Sequence, residues 1–158
     1  MSQSIRQYRE ADLNEVKAIE GASFPDPWPA GFFNYLHQKS PELLLVALDG
    51  GTIAGYVVGE LREIMFSGVS HQFKVGHILN IAVDASQRQR GIGTLLMDEI
   101  EGRFRERNAT KATLEVRESN GTARAFYIRR GYEEMGRVSA YYADEDAIIM
   151  GKNLKPER

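Results

Sequence analysis

The sequence contains no cysteine and only three histidines among its 158 residues. The chain therefore has no disulfides, no thiolate nucleophile and no cysteine ligands for a metal. His37, His71 and His77 are scattered and show no spacing that is typical of a metal site. These absences predict chemistry that uses neither a metal nor a cysteine.

Long hydrophobic runs and an excess of one charge sign are also missing. The longest apolar run, residues 43–48, is much too short to span a bilayer, and the N-terminus lacks the apolar segment of a signal peptide. The 20 basic and 22 acidic residues give a formal net charge of -2, which provides no global field for nucleic acid or an anionic membrane. We expect a cytoplasmic protein that binds neither directly.

The length and the 42% of hydrophobic residues fit one domain with one sizeable core. We expect this domain to cover residues 1–154, and residues 155–158 to form a short polar tail. The sequence shows no internal repeat and no low-complexity linker.

Apolar periodicity and turn signals predict the order of the secondary-structure elements. Helices are expected from Asp12, in a variant capping box with Glu15, to near Gly21; after residue 29; from Gly91 to about Asn108; and from Asn120 to Gly131. Strands are expected at residues 5–8, 43–48, 52–61, 78–83, 112–118, 132–138 and 146–152. Asp49 and Gly50 predict a tight hairpin turn, and residues 64–72 predict a loop. This order indicates an α/β fold with a mixed sheet and helices on its faces.

Residues 77–94 are the stretch around which the chain is organised. The apolar run at residues 78–83 predicts a strand that is covered on both faces, and a helix begins after Gly91. The first N–H groups of a helix lack intrahelical partners and attract anions. Gly91 and Gly93 let a ligand approach the backbone, while Arg88 and Arg90 add positive charge. The turn therefore indicates a pyrophosphate site.

Spacing restricts the identity of the pyrophosphate ligand. The chain has no Gly-Lys-Ser/Thr string of a P-loop, and the sixth position from Gly91 is Leu96, where a dinucleotide fingerprint needs glycine. Nucleoside triphosphates and NAD are therefore disfavoured. A basic glycine turn that binds no ligand is the alternative on these residues alone.

The pattern Arg88-x-x-Gly91-x-Gly93 resembles the acetyl-CoA signature of the GCN5-related N-acetyltransferases, the GNAT superfamily. Further segments follow in the order and spacing of the RimI-type ribosomal-protein-alanine N-acetyltransferases, which are closely similar to the catalytic subunits of protein N-terminal acetyltransferases. These segments are LNIAV at 79–83, LEVRESN at 114–120, AFY at 125–127, GY at 131–132, YY at 141–142 and EDAIIM at 145–150. The resemblance covers nearly the whole domain and is strongest over residues 78–150.

The resemblance implies a fold and a cosubstrate. The implied GNAT fold has a mixed, mostly antiparallel sheet of six or seven strands, splayed at its central parallel pair, with about four helices. The implied cosubstrate is acetyl-CoA, with no metal, and Asn120 could serve either as a cofactor contact or as a plain helix cap. The implied cofactor-binding residues are Ile81, Ala82, Val83, Arg88, Gln89, Arg90, Gly91, Ile92, Gly93, Thr94, Asn120 and Tyr127.

The resemblance also assigns two catalytic roles. Glu115 matches the proposed base, acting through water, and Tyr127 matches the acid that protonates the leaving thiolate. An α-amino group titrates near pH 8 and a lysine near 10.4, so an N-terminal amine needs only modest help to become neutral. The alternatives are a salt bridge of Glu115 with Arg117 or another neighbour, and a purely packing role for Tyr127 beside Phe126.

The implied acceptor is the free α-amino group of a protein or peptide, such as the N-terminal alanine of ribosomal protein S18. The acceptor-binding residues would be Phe24, Asp26, Trp28, Tyr141 and Tyr142, with Asp26 as a second candidate base or ammonium anchor and packing as the alternative for Trp28. We expect a monomer or weak homodimer. A GNAT enzyme acting on small amines or lysine side chains, and a non-catalytic acetyl-CoA-binding domain, are the competing hypotheses.

Overall fold

The computed structural model describes residues 2–65 and 72–155. Within these residues there are seven strands and four α-helices. In chain order they are β1 (Gln3–Gln7), α1 (Leu13–Ser23), α2 (Ala30–Lys39), β2 (Leu44–Asp49), β3 (Thr52–Met65), β4 (Gln72–Val83), α3 (Ile92–Glu106), β5 (Lys111–Arg117), α4 (Gly121–Arg129), β6 (Glu133–Val138) and β7 (Ala147–Asn153). Short 3-10 helices cover Glu10–Asp12, Pro41–Leu43 and Ala85–Gln87.

The strands form one mostly antiparallel sheet in the order β1-β2-β3-β4-β5-β7-β6. Its parallel pair is β4 with β5, and their register runs from Val75 opposite Lys111 to Ile78 opposite Leu114. Both strands continue beyond that last pair, to Val83 and Arg117, in agreement with a splayed pair. The predicted mixed sheet with a central parallel pair and about four helices is confirmed.

The chain divides into two compact units, and the first consists of residues 1–60 and 80–103. Its core contains fully buried side chains from both helices and strands. The helices α1, α2 and α3 contribute to it because their apolar positions recur at helical spacing and so lie on one face of each helix. Among these core residues are Val16, Phe33, Leu44, Leu45, Val57, Ile92, Leu96 and Ile100.

The hairpin between β2 and β3 differs in one detail from its prediction. Asp49 pairs with Thr52, so the two loop residues are Gly50 and Gly51, with φ angles of 60° and 86°. The positive φ angles therefore belong to a Gly-Gly pair and not to Asp-Gly, because Asp49 is the last residue of the strand.

The second unit consists of residues 61–79 and 104–158. In β5, Ala112, Leu114 and Val116 are buried while the residues between them are half-buried, as the alternating sequence predicts. The β4 backbone passes the Phe104 ring so closely at Gly76 that a Cβ there would lie 2.2 Å from the ring. Glycine is therefore required at this crossing.

Several predicted boundaries were wrong. β3 continues to Met65 and β4 begins at Gln72, so the ends of the predicted loop at residues 64–72 are strand; residues 66–71 lie outside the described residues. The run at residues 78–83 is not covered on both faces, because Ile78 and Ala82 are buried but the others are half-buried. Helix α3 ends at Glu106, and Asn108 has a left-handed φ of 67°.

The two predicted helix caps had different outcomes. Asp12 makes no side-chain cap for α1, because its carboxylate accepts hydrogen bonds from the Arg6 guanidinium and the Arg9 backbone N–H instead. Asn120 caps α4, since its Oδ1 accepts a 3.1 Å hydrogen bond from the backbone N–H of Ala123. In the part of the chain that the structure describes, none of the helices is long and apolar enough to cross a bilayer.

Candidate active site

In the first unit, the turn before α3 has the backbone geometry of an anion site. Gln89 and Gly91 have φ angles of 65° and 80°, and the helix begins at Ile92 with N–H groups that have no partner inside the helix. A Cβ built on Gly91 would meet no atom within 4 Å. Glycine is therefore needed at this position for its positive φ, and the space beside it is open to a ligand.

The two arginines of this turn differ in how their charge is engaged. The Arg90 guanidinium lies 3.2 Å from the carboxylate of Asp49, which is buried. Arg88 is exposed, and its Nε lies 3.4 Å from the Val83 carbonyl oxygen, at the limit of a hydrogen bond. Open space, helix N–H donors and the exposed Arg88 together fit the pyrophosphate of acetyl-CoA. The described residues contain no group of His, Asp and Glu that could hold a metal.

In the second unit, the parallel pairing of β4 and β5 places His77 beside Glu115. The His77 Nε2 lies 2.5 Å from Glu115 Oε2, and its Nδ1 lies 2.6 Å from Thr113 Oγ1. Burial raises the pKa of Glu115, but the hydrogen bond and charge of His77 and the charge of Arg62 outweigh it and leave this pKa below its usual value. Glu115 is therefore held as a carboxylate that is one-fifth exposed.

Glu115 was named from the sequence together with an alternative role in a salt bridge with Arg117 or another neighbour. The neighbour is His77, while Arg117 pairs with Asp144 and Glu145. His77 is the neighbour that Glu115 contacts, and the sequence analysis considered it only as a metal ligand. The sequence signal for this contact was that His77 is a polar residue at the start of an apolar strand. The strand that lies parallel to it, β5, has polar residues at alternate positions.

Tyr127 lies buried in α4, with its ring edge-on to those of Phe126 and Tyr132. Burial raises the pKa of the Tyr127 phenol, and the nearby Tyr142 raises it further. The phenol therefore keeps its proton throughout the neutral range. The packing role considered for Tyr127 beside Phe126 is therefore present.

The tyrosine pair between β6 and β7 lies in the same unit as Glu115. The ring centroids of Tyr141 and Tyr142 are 5.0 Å apart, and the Tyr141 side chain is half-exposed. Burial raises the pKa values of both phenols, that of Tyr142 to about 12, and the Glu115 charge contributes to both shifts. The second unit therefore brings together four residues that the sequence analysis proposed, namely Glu115, Tyr127, Tyr141 and Tyr142.

The loop at residues 24–29 is anchored by a carboxylate that the sequence analysis missed. Glu20 is 1% exposed and accepts hydrogen bonds from the Trp28 backbone N–H and the Asn80 side chain, both at 2.6 Å, and from the Tyr56 hydroxyl. The sequence signal that could have identified Glu20 is its spacing: it lies four residues after Val16, which is buried, and so on the inner face of α1.

The predicted acceptor residues of this loop have different environments. The Trp28 ring lies edge-on to Phe32, with centroids 4.8 Å apart, and it also contacts Phe33. The packing role considered for Trp28 is therefore present. Phe24 is half-buried, and Asp26 is exposed.

Residues 13–132 match the family model described as the Acetyltransferase (GNAT) family. Together with the splayed parallel pair and the anion turn, this match shows that the chain belongs to the GNAT acetyltransferases. It is an acetyl-CoA-dependent acyltransferase.

Named relatives and a solved structure are similar over almost their whole length. An N-alpha-acetyltransferase from Sulfurisphaera tokodaii is 33% identical over 155 residues, covering 95% of this chain and 92% of that protein. A Bacillus subtilis protein, provisionally named a ribosomal protein bS18-alanine N-acetyltransferase, is 31% identical over 150 residues, covering 93% of each. Ard1 from Thermoplasma volcanium has a TM-score of 0.86 and 28% identity, covering 98% of this chain and 99% of that one. The predicted resemblance to GNAT enzymes of the RimI type is confirmed.

Proposed function

We propose that this enzyme transfers the acetyl group of acetyl-CoA to the α-amino group of a protein N-terminus. The observation that carries the proposal is the ionised, partly exposed Glu115 carboxylate, held by His77 near Tyr141 and Tyr142. Such a carboxylate can accept the acceptor's proton through water, while tyrosine hydroxyls can bond to a peptide backbone. The name of the Sulfurisphaera tokodaii relative supports this acceptor class.

The chain's residues can carry the proton movements of the reaction. The acceptor's ammonium loses one proton through water to Glu115, and the neutral nitrogen forms a bond to the acetyl carbonyl carbon. The nitrogen then loses its second proton as the carbon–sulfur bond breaks. The Tyr127 phenol gives its proton to the departing sulfur, and the second proton from the nitrogen, passed through water, restores the phenol. Acetyl-CoA supplies the acetyl group as a reactive thioester. Because an α-amino group titrates near pH 8, a carboxylate acting through water is a strong enough base to deprotonate it.

We assign the cosubstrate to the residues that the resemblance implied. Arg88 and the backbone N–H groups at residues 89–94 bind the pyrophosphate, and backbone N–H groups at residues 81–83 bind the pantetheine arm and polarise the thioester carbonyl. The helix cap uses Oδ1 of Asn120, so its amide nitrogen is the group that we assign to the cosubstrate. Arg90 is the weaker charge donor, because Asp49 already engages it.

The acceptor is bound, in this proposal, by Tyr141 and Tyr142 and by Phe24 and Trp28, with the exposed Asp26 as an anchor for the ammonium. Contacts to backbone atoms and to the ammonium do not read side chains, so we propose that several kinds of N-terminus are accepted. An N-terminal alanine of a ribosomal protein is one of them, and the name of the Bacillus subtilis relative supports it.

A peptide library that varies the first two residues tests this function, with transfer followed by mass spectrometry. The same peptides with blocked N-termini but free lysines, together with polyamines, serve as controls. We expect acetylation only of peptides with a free α-amine. Acetylation of lysines or polyamines without any on free N-termini would refute the proposal, and no transfer at all would favour a non-catalytic acetyl-CoA-binding domain.

A further inference from the structure

The segment that carries the tyrosine pair is tied to the end of β5 by ion pairs and hydrogen bonds. We call residues 139–146, between β6 and β7, the tyrosine loop. Glu145 of this loop accepts hydrogen bonds at 2.9 Å from both the backbone N–H and the hydroxyl of Ser119. The loop is therefore held at the junction of β5 and α4, two residues beyond Arg117.

Arg117 contacts three residues of the tyrosine loop. Its guanidinium lies 2.8 Å from Asp144 and 3.2 Å from Glu145, and its Cζ lies 4.2 Å from the centre of the Tyr142 ring. The side chains of Arg117 and Glu145 are 16% and 21% exposed, so this pair is less screened than an ordinary surface pair, whereas Asp144 is 71% exposed and its pair with Arg117 is screened by water. Because side chains two residues apart in a strand point to the same face, Arg117 and Glu115 share one face of β5.

A second arginine contacts the last residue of the same loop. Arg137, in β6, lies 2.7 Å from Glu118 and 3.1 Å from Asp146. Asp146 also accepts a 2.8 Å hydrogen bond from the backbone N–H of Ala140, whose φ is 52°. Of these two arginines, Arg117 is the one whose guanidinium lies over the Tyr142 ring.

We propose that Arg117 is a positioning residue for the acceptor: it fixes the Tyr142 ring through its stacked guanidinium and fixes the loop backbone through Asp144 and Glu145. The inference deepens the proposed function and depends on it, because the tyrosine loop is taken as part of the acceptor site. Arg117 acts through Tyr142 and does not touch the reacting atoms. It determines acceptor affinity and leaves binding of acetyl-CoA unchanged.

The test compares Arg117→Gln and Arg117→Lys with the control Arg107→Gln, which removes a surface arginine 4.0 Å from its neighbour Glu106. We expect Arg117→Gln to raise the KM for a peptide acceptor about tenfold and to leave the KM for acetyl-CoA unchanged. Arg117→Lys keeps the charge but loses the planar stack, so it should recover part of the acceptor affinity. The control should match the unmodified enzyme.

Amide hydrogen exchange at residues 139–146 gives a second readout that needs no turnover. We expect faster exchange there in Arg117→Gln and in Glu145→Gln, because the second change removes the loop carboxylate that contacts Arg117. Exchange in β7 should be unchanged. If Arg117→Gln leaves peptide KM and loop exchange unchanged, the inference is wrong. If the variants loosen the loop but the unmodified enzyme acetylates no peptide N-terminus, the proposed function is wrong while the anchoring of the loop stands.

Discussion

At the scale of single residues, the ionisation of Glu115 determines how activity should depend on pH. The pKa of Glu115 is lower in the folded protein than its usual value of about 4.3, so Glu115 is a carboxylate at any pH above that value. The stability that this carboxylate contributes is lost only as the pH falls through its folded-state pKa. The rise of activity in the neutral range therefore belongs to the acceptor's α-amine, with a pKa of about 8.

Replacing Glu115 by Gln tests this assignment. We expect kcat/KM to fall by about 10²- to 10³-fold, because a positioned base contributes that much, while the rise of the pH–rate profile near pH 8 stays in place. A pH series of initial rates with one peptide measures both quantities. An unchanged rate would show that Glu115 is not the base, and a displaced rise would show that the rise does not belong to the α-amine alone.

Tyr127→Phe removes one hydroxyl and keeps the ring that packs on Phe126 and Tyr132. We expect kcat to fall by about 10²-fold or more with little change in either KM and no loss of thermal stability. Steady-state kinetics and a melting curve separate these effects. Full turnover in this variant would leave Tyr127 with a packing role alone.

The sequence identified the residues whose roles depend on local motifs and missed those whose partners come from other elements. Glu115 and Tyr127 stand in short recognisable strings, so their positions could be proposed without a structure. His77 and Glu20 act through side chains distant in sequence, at separations of 38 and 60 residues from Glu115 and Asn80. The first pairing requires the register between β4 and β5, and the second requires the packing of α1 against β4; the sequence defined neither.

At the scale of elements, the strand–turn–helix of residues 78–94 and the strand–helix of residues 112–130 were predicted, because periodicity and caps define them locally. The lengths of β3 and β4 were not predicted. Polar residues such as Lys74 and His77 interrupt the apolar pattern of β4, and backbone pairing maintains the strand despite them. Asp12 was assigned as a cap because the pattern could not show its pairing with Arg6.

Two glycines provide a matched stability test of the close packing between β4 and the Phe104 ring. Gly76→Ala places a methyl group against the Phe104 ring, whereas Gly102→Ala adds one on α3 with no atom within 4 Å. We expect the free energy of unfolding to fall by about 1–3 kcal/mol or more for Gly76→Ala and to rise by about 0.5–1 kcal/mol for Gly102→Ala. Urea titrations measure both, and equal effects would contradict the described packing at Gly76.

At the scale of the whole molecule, a single domain over residues 1–154 stays a prediction, as do a cytoplasmic location and a monomer or weak homodimer. We expect the two compact units to unfold together, because domains of this size usually do so in one transition. Fluorescence of Trp28, the only tryptophan, reports on the first unit, and amide exchange in β5 and β7 reports on the second. Coincident transitions in denaturant would support one domain, and separate transitions would contradict it.

The central claim, transfer to an α-amine, is tested most directly by one peptide that offers both kinds of amine. The peptide begins with a free alanine and contains a lysine, and tandem mass spectrometry locates the acetyl group after incubation with acetyl-CoA. The account predicts acetylation at the N-terminal nitrogen with the lysine unmodified, and loss of this product in Glu115→Gln. Acetyl groups on the lysine side chain with a free N-terminus would contradict it.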